Sequence, residues 1–306
     1  MKDLMMLYGV TLGRRYKREE KVRFIETISI FFQKLGYPVN MQSKKTNFME
    51  VNNIIIGDLF RAKKVLVAAY DTPSKILLPN YHYYPFNTKR NLRQENINLV
   101  LRFLIACILL ILVFFLLKGL MGYQLWLKIV TVLFSFIMIF FAYRSLKGGG
   151  NQINFNRNST AIVLMHTIAR SYEKDDLAIV MLDHGVSSYE GLKLLKEEFD
   201  GKHQEVIMLE ALANGEQVIM VARGKVNIDR LQNNRAGITI FNKVYEEMKQ
   251  ENNFLSFFPN MMYLGSGENK DKQFVVKNTR SCRDNEVNME RLEKINNLLL
   301  DYLRGE

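Results

Sequence analysis

Few side chains in this sequence are suited to proton transfer or metal binding, and their spacing limits what they can do. The four histidines are His82, His166, His184 and His203, and no two have the i, i+4 spacing of a helical metal pair. His166 falls mid-helix, where a packed side chain is the usual role. His184 follows a strand end beside Asp183 and is the only one placed like a site residue. A His–Asp hydrolase built on His184 with Ser187 or Ser188 would want a Gly-x-Ser-x-Gly elbow, and the sequence has none. Cys107 and Cys282 are the only cysteines, which excludes a disulfide framework and a cysteine-rich metal site. Gly148-Gly-Gly150 lacks a following Gly-Lys-Ser/Thr, so it reads as a flexible linker rather than a phosphate cradle.

The elements that must position these groups alternate between strand and helix. Residues 18–35 form an amphipathic helix with Val22, Ile25, Ile28, Phe32 and Leu35 on one stripe, stopped by Gly36 and Pro38. Residues 40–58 hold two short extended stretches, the second at 51–56. The continuous apolar run from Lys64 to Tyr70, closed by Asp71-Thr-Pro, reads as a buried strand, and 177–182 as another. Residues 77–98 read as irregular. Asn158 or Ser159 opens a helix to about residue 173, with Ile162, Met165, Ile168 and Ala169 inward. Ser187 and Glu190 have capping-box spacing for a helix ending near Phe199. Strands at 205–212 and 217–223 are expected to pair as a hairpin about Asn214-Gly215. Residues 238–249 read as helix and 273–276 as extended. The last helix, 287–303, turns Leu292, Ile295, Leu299 and Leu303 inward. Phe257-Phe258 and Met261-Met262 mark either a core-covering loop or an exposed partner surface. This alternation predicts a three-layer α/β domain.

Two runs break the pattern. Residues 99–117 and 123–143 are almost wholly apolar and roughly 28–32 Å long as helices, enough to cross a bilayer. Lys118-Gly-Leu-Met-Gly122 is long enough only for a tight connection, so a transmembrane hairpin is expected. A buried helical pair in a soluble core would seldom be apolar on every face. Lys89, Arg90, Arg93, Arg102, Arg144 and Lys147 lie at the outer ends, against Lys118 and Lys128 at the loop. That bias places both termini in the cytoplasm of a cell-membrane protein. Arg102 would snorkel toward the headgroups. The opening residues are too short for a signal core. Residues 1–98 and 144–306 then form two parts of one cytoplasmic domain, with 99–143 inserted in the membrane. The net charge of +11 comes without a nucleic-acid-binding signature, so anionic membrane lipids are the expected partner and nucleic acid is not.

The order of the pieces resembles the di-zinc aminopeptidases and glutaminyl cyclases of the zinc-exopeptidase fold. Ala69-Tyr70-Asp71 is similar to their His-x-Asp strand end, and Asn156-Arg157-Asn158 to their Asn-Asp-Asn helix start. Asp183-His184-Gly185-Val186 stands where they carry Asp-x-Glu-Glu. Glu210 looks like the counterpart of a later ligand, and Arg280-Ser-Cys-Arg-Asp284 resembles the last ligand segment. The resemblance implies a zinc-exopeptidase-like (aminopeptidase) domain interrupted by the hairpin.

At the positions that the resemblance makes ligands, the chain offers Ala69, Arg157, Val186, Glu210 and Arg280, and only Glu210 can donate to a cation. Gly185 replaces the Glu that would activate water. Neither a metal nor another cofactor is therefore expected. Arg157 and Arg280 would either pair with Asp71, Asp183 and Glu210 across a vestigial cleft, or lie in solvated loops. The leading expectation is a membrane-anchored, catalytically inactive pseudopeptidase. It would serve as scaffold or accessory subunit with a membrane-protein or peptide partner, in a transport or peptide-secretion complex. The alternative is a divergent hydrolase or cyclase acting on peptide N-termini.

Overall fold

Strand periodicity builds the domain around one sheet. The computed structural model describes all residues except 47–48, 80, 174, 186–188, 233–236, 245–253, 271–272 and 306. In chain order the elements are α1 (Lys2–Met6), a π turn (Leu7–Thr11), α2 (Arg18–Lys34), β1 (Val39–Lys45), β2 (Glu50–Ile56), β3 (Lys64–Ala69) and β4 (His82–Tyr83). After them come α3 (Thr88–Lys118), α4 (Leu125–Lys147), a second π turn (Phe155–Ser159), α5 (Thr160–Ser171), β5 (Leu177–Leu182), α6 (Glu190–Glu198), β6 (Glu205–Glu210) and β7 (Gln217–Arg223). The chain closes with α7 (Ile228–Gln232), β8 (Ile240–Val244), β9 (Met261–Lys270), β10 (Gln273–Lys277) and α8 (Met289–Arg304).

The strands lie in the order β1-β2-β5-β3-β6-β9-β10-β4, with β7 on the other edge of β9 and β8 beside β7. The centre is parallel: β3 pairs with β5 and with β6, and β6 with β9. Successive side chains point to opposite faces. Leu66, Ile179, Ile207 and Met262 therefore pack under α2, α5 and α8, while Val65, Val180, Met208 and Tyr263 pack on the other face with Leu192 and Leu195 of α6. This is the mixed three-layer α/β domain, and β3 and β5, on either side of the hairpin in sequence, are neighbours in its sheet.

Several local expectations change. The strands flanking Asn214-Gly215 form but do not pair, because β9 lies between them and takes β6 on one edge and β7 on the other. The connecting backbone is engaged elsewhere: Leu212 and Ala213 N–H groups donate to Thr160 Oγ1 and Asn156 Oδ1. Gly215 has φ +104, and a Cβ there would meet the Gly267 backbone at 2.5 Å. Ile240–Val244, expected to be helical, is a strand parallel to β7; the rest of that expected helix lies outside the described residues, as does the capping Ser187. Met261 and Met262 are buried in β9 and Phe258 beneath it, so this cluster is core. On α2 the buried stripe is Phe24, Ile28 and Phe32, with Val22 half exposed. His166 packs as expected, 2.7 Å from the Tyr8 hydroxyl, and burial pushes its imidazole down to about 4.

The stretch read as irregular contains the start of α3. Asn87 caps that helix by accepting from Arg90 N–H at 2.9 Å, and α3 runs eleven residues before the apolar segment begins. α3 and α4 pack as a hairpin whose remaining faces are open: Phe103, Phe114, Phe136 and Phe140 are each more than half exposed. Both helices are long and apolar enough to cross a membrane. Arg102 is buried and donates to the Lys75 carbonyl.

Candidate functional site

Parallel strands end together, and the carboxyl edge of an open α/β sheet is where such folds collect polar groups. Here Asp71 lies two residues beyond β3, Asp183 one beyond β5, and Glu210 is the last residue of β6. All three are buried, so each needs a partner. Asp183 finds several. Its Oδ1 pairs with Lys21 of α2 and accepts from His184 N–H at 2.9 Å, and its Oδ2 accepts from Asn52 N–H at 3.2 Å. No local pattern in the sequence marked Lys21 for this role.

Asp71 is supplied less fully. Its Oδ1 accepts from Gly185 N–H at 3.0 Å. Burial pushes its carboxyl up to about 6, partly opposed by Lys21 and reinforced by the neighbouring Asp183. That value suits a group that must gain and lose a proton near neutrality.

Arg157 sits in the π turn ahead of α5, its side chain 2% exposed, with Nη2 3.0 Å from Glu210 Oε1. The guanidinium carbon is 3.2 Å from the centre of the Tyr83 ring, so the cation is sandwiched between a carboxylate and an aromatic face. Tyr83 and Tyr263 hydroxyls donate to Glu210 at 3.3 and 3.4 Å. Burial pushes the Glu210 carboxyl up, against the pull of Arg157 and the two phenols. Desolvation lowers the Arg157 guanidinium, but Glu210 together with Tyr83, Tyr81 and Tyr189 more than offsets it, so it stays charged. The turn is held by Asp284 Oδ1, which accepts from Asn156 and Arg157 N–H at 3.0 and 3.4 Å. Among the described residues Arg157 Nη1 has no hydrogen-bond partner.

Arg280 departs from the expected pairing. It meets neither Asp71, Asp183 nor Glu210; it pairs with Glu95 of α3 and donates to the Ser74 carbonyl and hydroxyl at 2.8 and 2.9 Å. The reason is the unforeseen early start of α3, which carries Glu95 over the loop after β3. Ala69 and Gly185 lie under the site in mutual contact, and a Cβ at 185 would stand 2.7 Å from Ala69 Cβ. Gly185→Ala should therefore cost about 1–3 kcal/mol by overpacking, and Ala69→Gly in the same chain should recover much of it in chemical denaturation. Val186 lies outside the described residues.

One cleft of about 180 Å³ collects these groups: Lys21, Asp71, Tyr81, Tyr83, Glu95, Arg157, His184 and Arg280 all line it. The two zinc ions that the fold implies do not fit these residues. Glu210 is held by Arg157 and Asp183 by Lys21, and a guanidinium at 3.0 Å from a carboxylate leaves no place there for a divalent cation. Among the described residues no group of three His, Cys, Asp or Glu side chains is arranged to hold a metal.

No protein-family model matches the sequence, and a comparison with curated proteins finds no match. Solved structures do match it. The chain is similar to Porphyromonas gingivalis glutaminyl cyclase at 12% identity and TM-score 0.55, over 98% of this chain and 95% of that one. Macrostomum lignano glutaminyl cyclase follows at 10% identity and TM-score 0.52, with 99% and 88% covered. The Legionella pneumophila aminopeptidase LapA gives 9% and 0.52, with 99% and 68% covered. The fold is thus the zinc-exopeptidase-like one. These neighbours are enzymes, and they correct the expectation that the chain is not one.

Proposed function

We propose, from a fold shared with glutaminyl cyclases and aminopeptidases, that this chain is a membrane-anchored enzyme acting on peptide amino termini. It is a divergent hydrolase or cyclase that works through Asp71 and Arg157 instead of zinc. The observation that carries this reading is the single cleft lined both by a buried carboxyl pushed up to about 6 and by the Arg157 guanidinium. In hydrolysis, Asp71 takes a proton from water as the oxygen adds to the peptide carbonyl, and returns it to the departing amine. In cyclisation the attacking atom is the terminal amine, and the same proton leaves with ammonia. Arg157 supplies the donor for the carbonyl oxygen that gains charge in either case.

Anchoring is supported by the exposed apolar faces of α3 and α4, far more than a water-soluble surface carries. The excess of Lys and Arg at the outer ends of the hairpin supports cytoplasmic termini. Protease digestion of sealed inverted and right-side-out vesicles checks this: the sheet domain should be cut only in inverted ones.

The test of activity is turnover of peptides with amino-terminal glutamine, and of a panel of aminoacyl amides, by the full chain in mild detergent. Release of ammonia or amine should persist after exhaustive chelation. Absence of turnover on every substrate, or activity that tracks stoichiometric zinc and disappears with it, would sink the reading.

A further inference from the structure

The base of the hairpin builds the rim of the cleft. Asn98 of α3 accepts from Leu77 N–H at 2.9 Å, and Arg102 of α3 donates to the Lys75 carbonyl. From the other leg, the Gly149 carbonyl accepts from Lys75 N–H at 2.8 Å, and Asn151 N–H donates to the Pro73 carbonyl at 3.0 Å. Ser74 bridges to Gly150. The loop that follows β3 is thus clamped between the two outer ends of the hairpin, and the same loop carries Asp71 at its start.

Glu95 goes further, because it lines the cleft while standing on the membrane-directed helix. It stands four positions before Leu99, the first of the apolar run, which is about 6 Å along a helix axis. Leu99 is 66% exposed and Phe103 59%, so the lipid-facing surface begins at that level. A soluble enzyme has no need to draw one wall of its cleft from a membrane helix. An enzyme whose substrate emerges from the same bilayer does, since this places the reacting groups at the height where such a chain leaves the lipid.

We propose that the cleft takes the free amino-terminal segment of a peptide that is itself anchored in the membrane, in preference to a freely diffusing peptide. This rests on the function proposed above and adds the class of substrate. Confinement to the bilayer plane raises the effective concentration of the terminus at the cleft, and the gain depends on whether the spacer between anchor and terminus matches the distance.

The experiment reconstitutes the full chain in liposomes of phosphatidylcholine and phosphatidylglycerol. One peptide with a free amino terminus is offered in soluble form and fused to an apolar transmembrane anchor through spacers of increasing length. The anchored form with a short spacer should be turned over with a kcat/KM about tenfold or more above the soluble form, and the advantage should fall as the spacer lengthens. Equal values for soluble and anchored peptides, or an anchored advantage indifferent to spacer length, would overturn this inference while leaving the proposed function intact. Failure to turn over or bind either peptide would remove both.

Discussion

Arg157→Met should destabilise the sheet domain by about 3–5 kcal/mol, the cost of leaving a buried carboxylate without its counter-charge. Glu210 is 5% exposed, and among the described residues Arg157 and the Tyr83 and Tyr263 hydroxyls reach it. Methionine fills the volume of the lost stem, so the effect isolates charge. The pH dependence tells this loss from general misfolding. Without Arg157 the carboxyl of Glu210, already pushed up by burial, moves further up. A carboxyl raised in the folded state contributes stability that is present when it is protonated and lost as pH rises through its folded value. The variant should therefore lie closest to the wild type in acid and furthest from it in alkali. Adding Glu210→Gln should restore much of the loss, because the amide needs no counter-charge. Unfolding followed by circular dichroism in detergent across pH reads all three; a variant that melts like the wild type at every pH would refute the buried pair.

Asp71→Asn is expected to act in opposite directions on activity and stability. Activity should fall by a hundredfold or more, in line with removal of a general acid–base group. In the wild type, kcat/KM should rise as pH passes through about 6, because the ionised carboxyl is the form that accepts the proton. Stability should move the other way. The folded value of about 6 lies above the ordinary 3.8, so the folded state favours the protonated form, and ionising Asp71 costs stability. The cost is absent well below 3.8, grows between there and 6, and is complete above it. Asparagine keeps an oxygen to accept from Gly185 N–H without the charge, so the variant should be more stable than the wild type by about 3 kcal/mol at pH 8 and equal to it in strong acid. Equal stability at both pH values would show that Asp71 carries no such strain.

Local signals in the sequence determined a good deal. Continuous apolar runs ending at Asp71 and Asp183 marked two strands of the sheet centre, since a parallel strand covered on both faces must be apolar throughout, and a third was expected over 205–212. The periodicity of α5 and α8 named their buried residues, and the length and uniform apolarity of the hairpin set it apart from the domain. The resemblance to the zinc-exopeptidase fold rested on the order of these elements, and the solved neighbours share that fold. Reading the lost ligands as lost catalysis went a step too far: absent zinc donors exclude one mechanism, while a buried acid that shares a cleft with a guanidinium can serve another.

Tertiary structure alone decided which cation meets which acid. Lys21 and Asp183 are 162 residues apart, and Arg280 and Glu95 are 185 apart, so no local rule links them. The strands about Asn214-Gly215 carried a strong turn signal, yet a strand some fifty residues later offered both of its edges and separated them. Ion pairing and sheet pairing are contacts between surfaces, and they are settled by which elements the whole core brings side by side. Helices and buried strands announce themselves because their periodicity is written within a few residues.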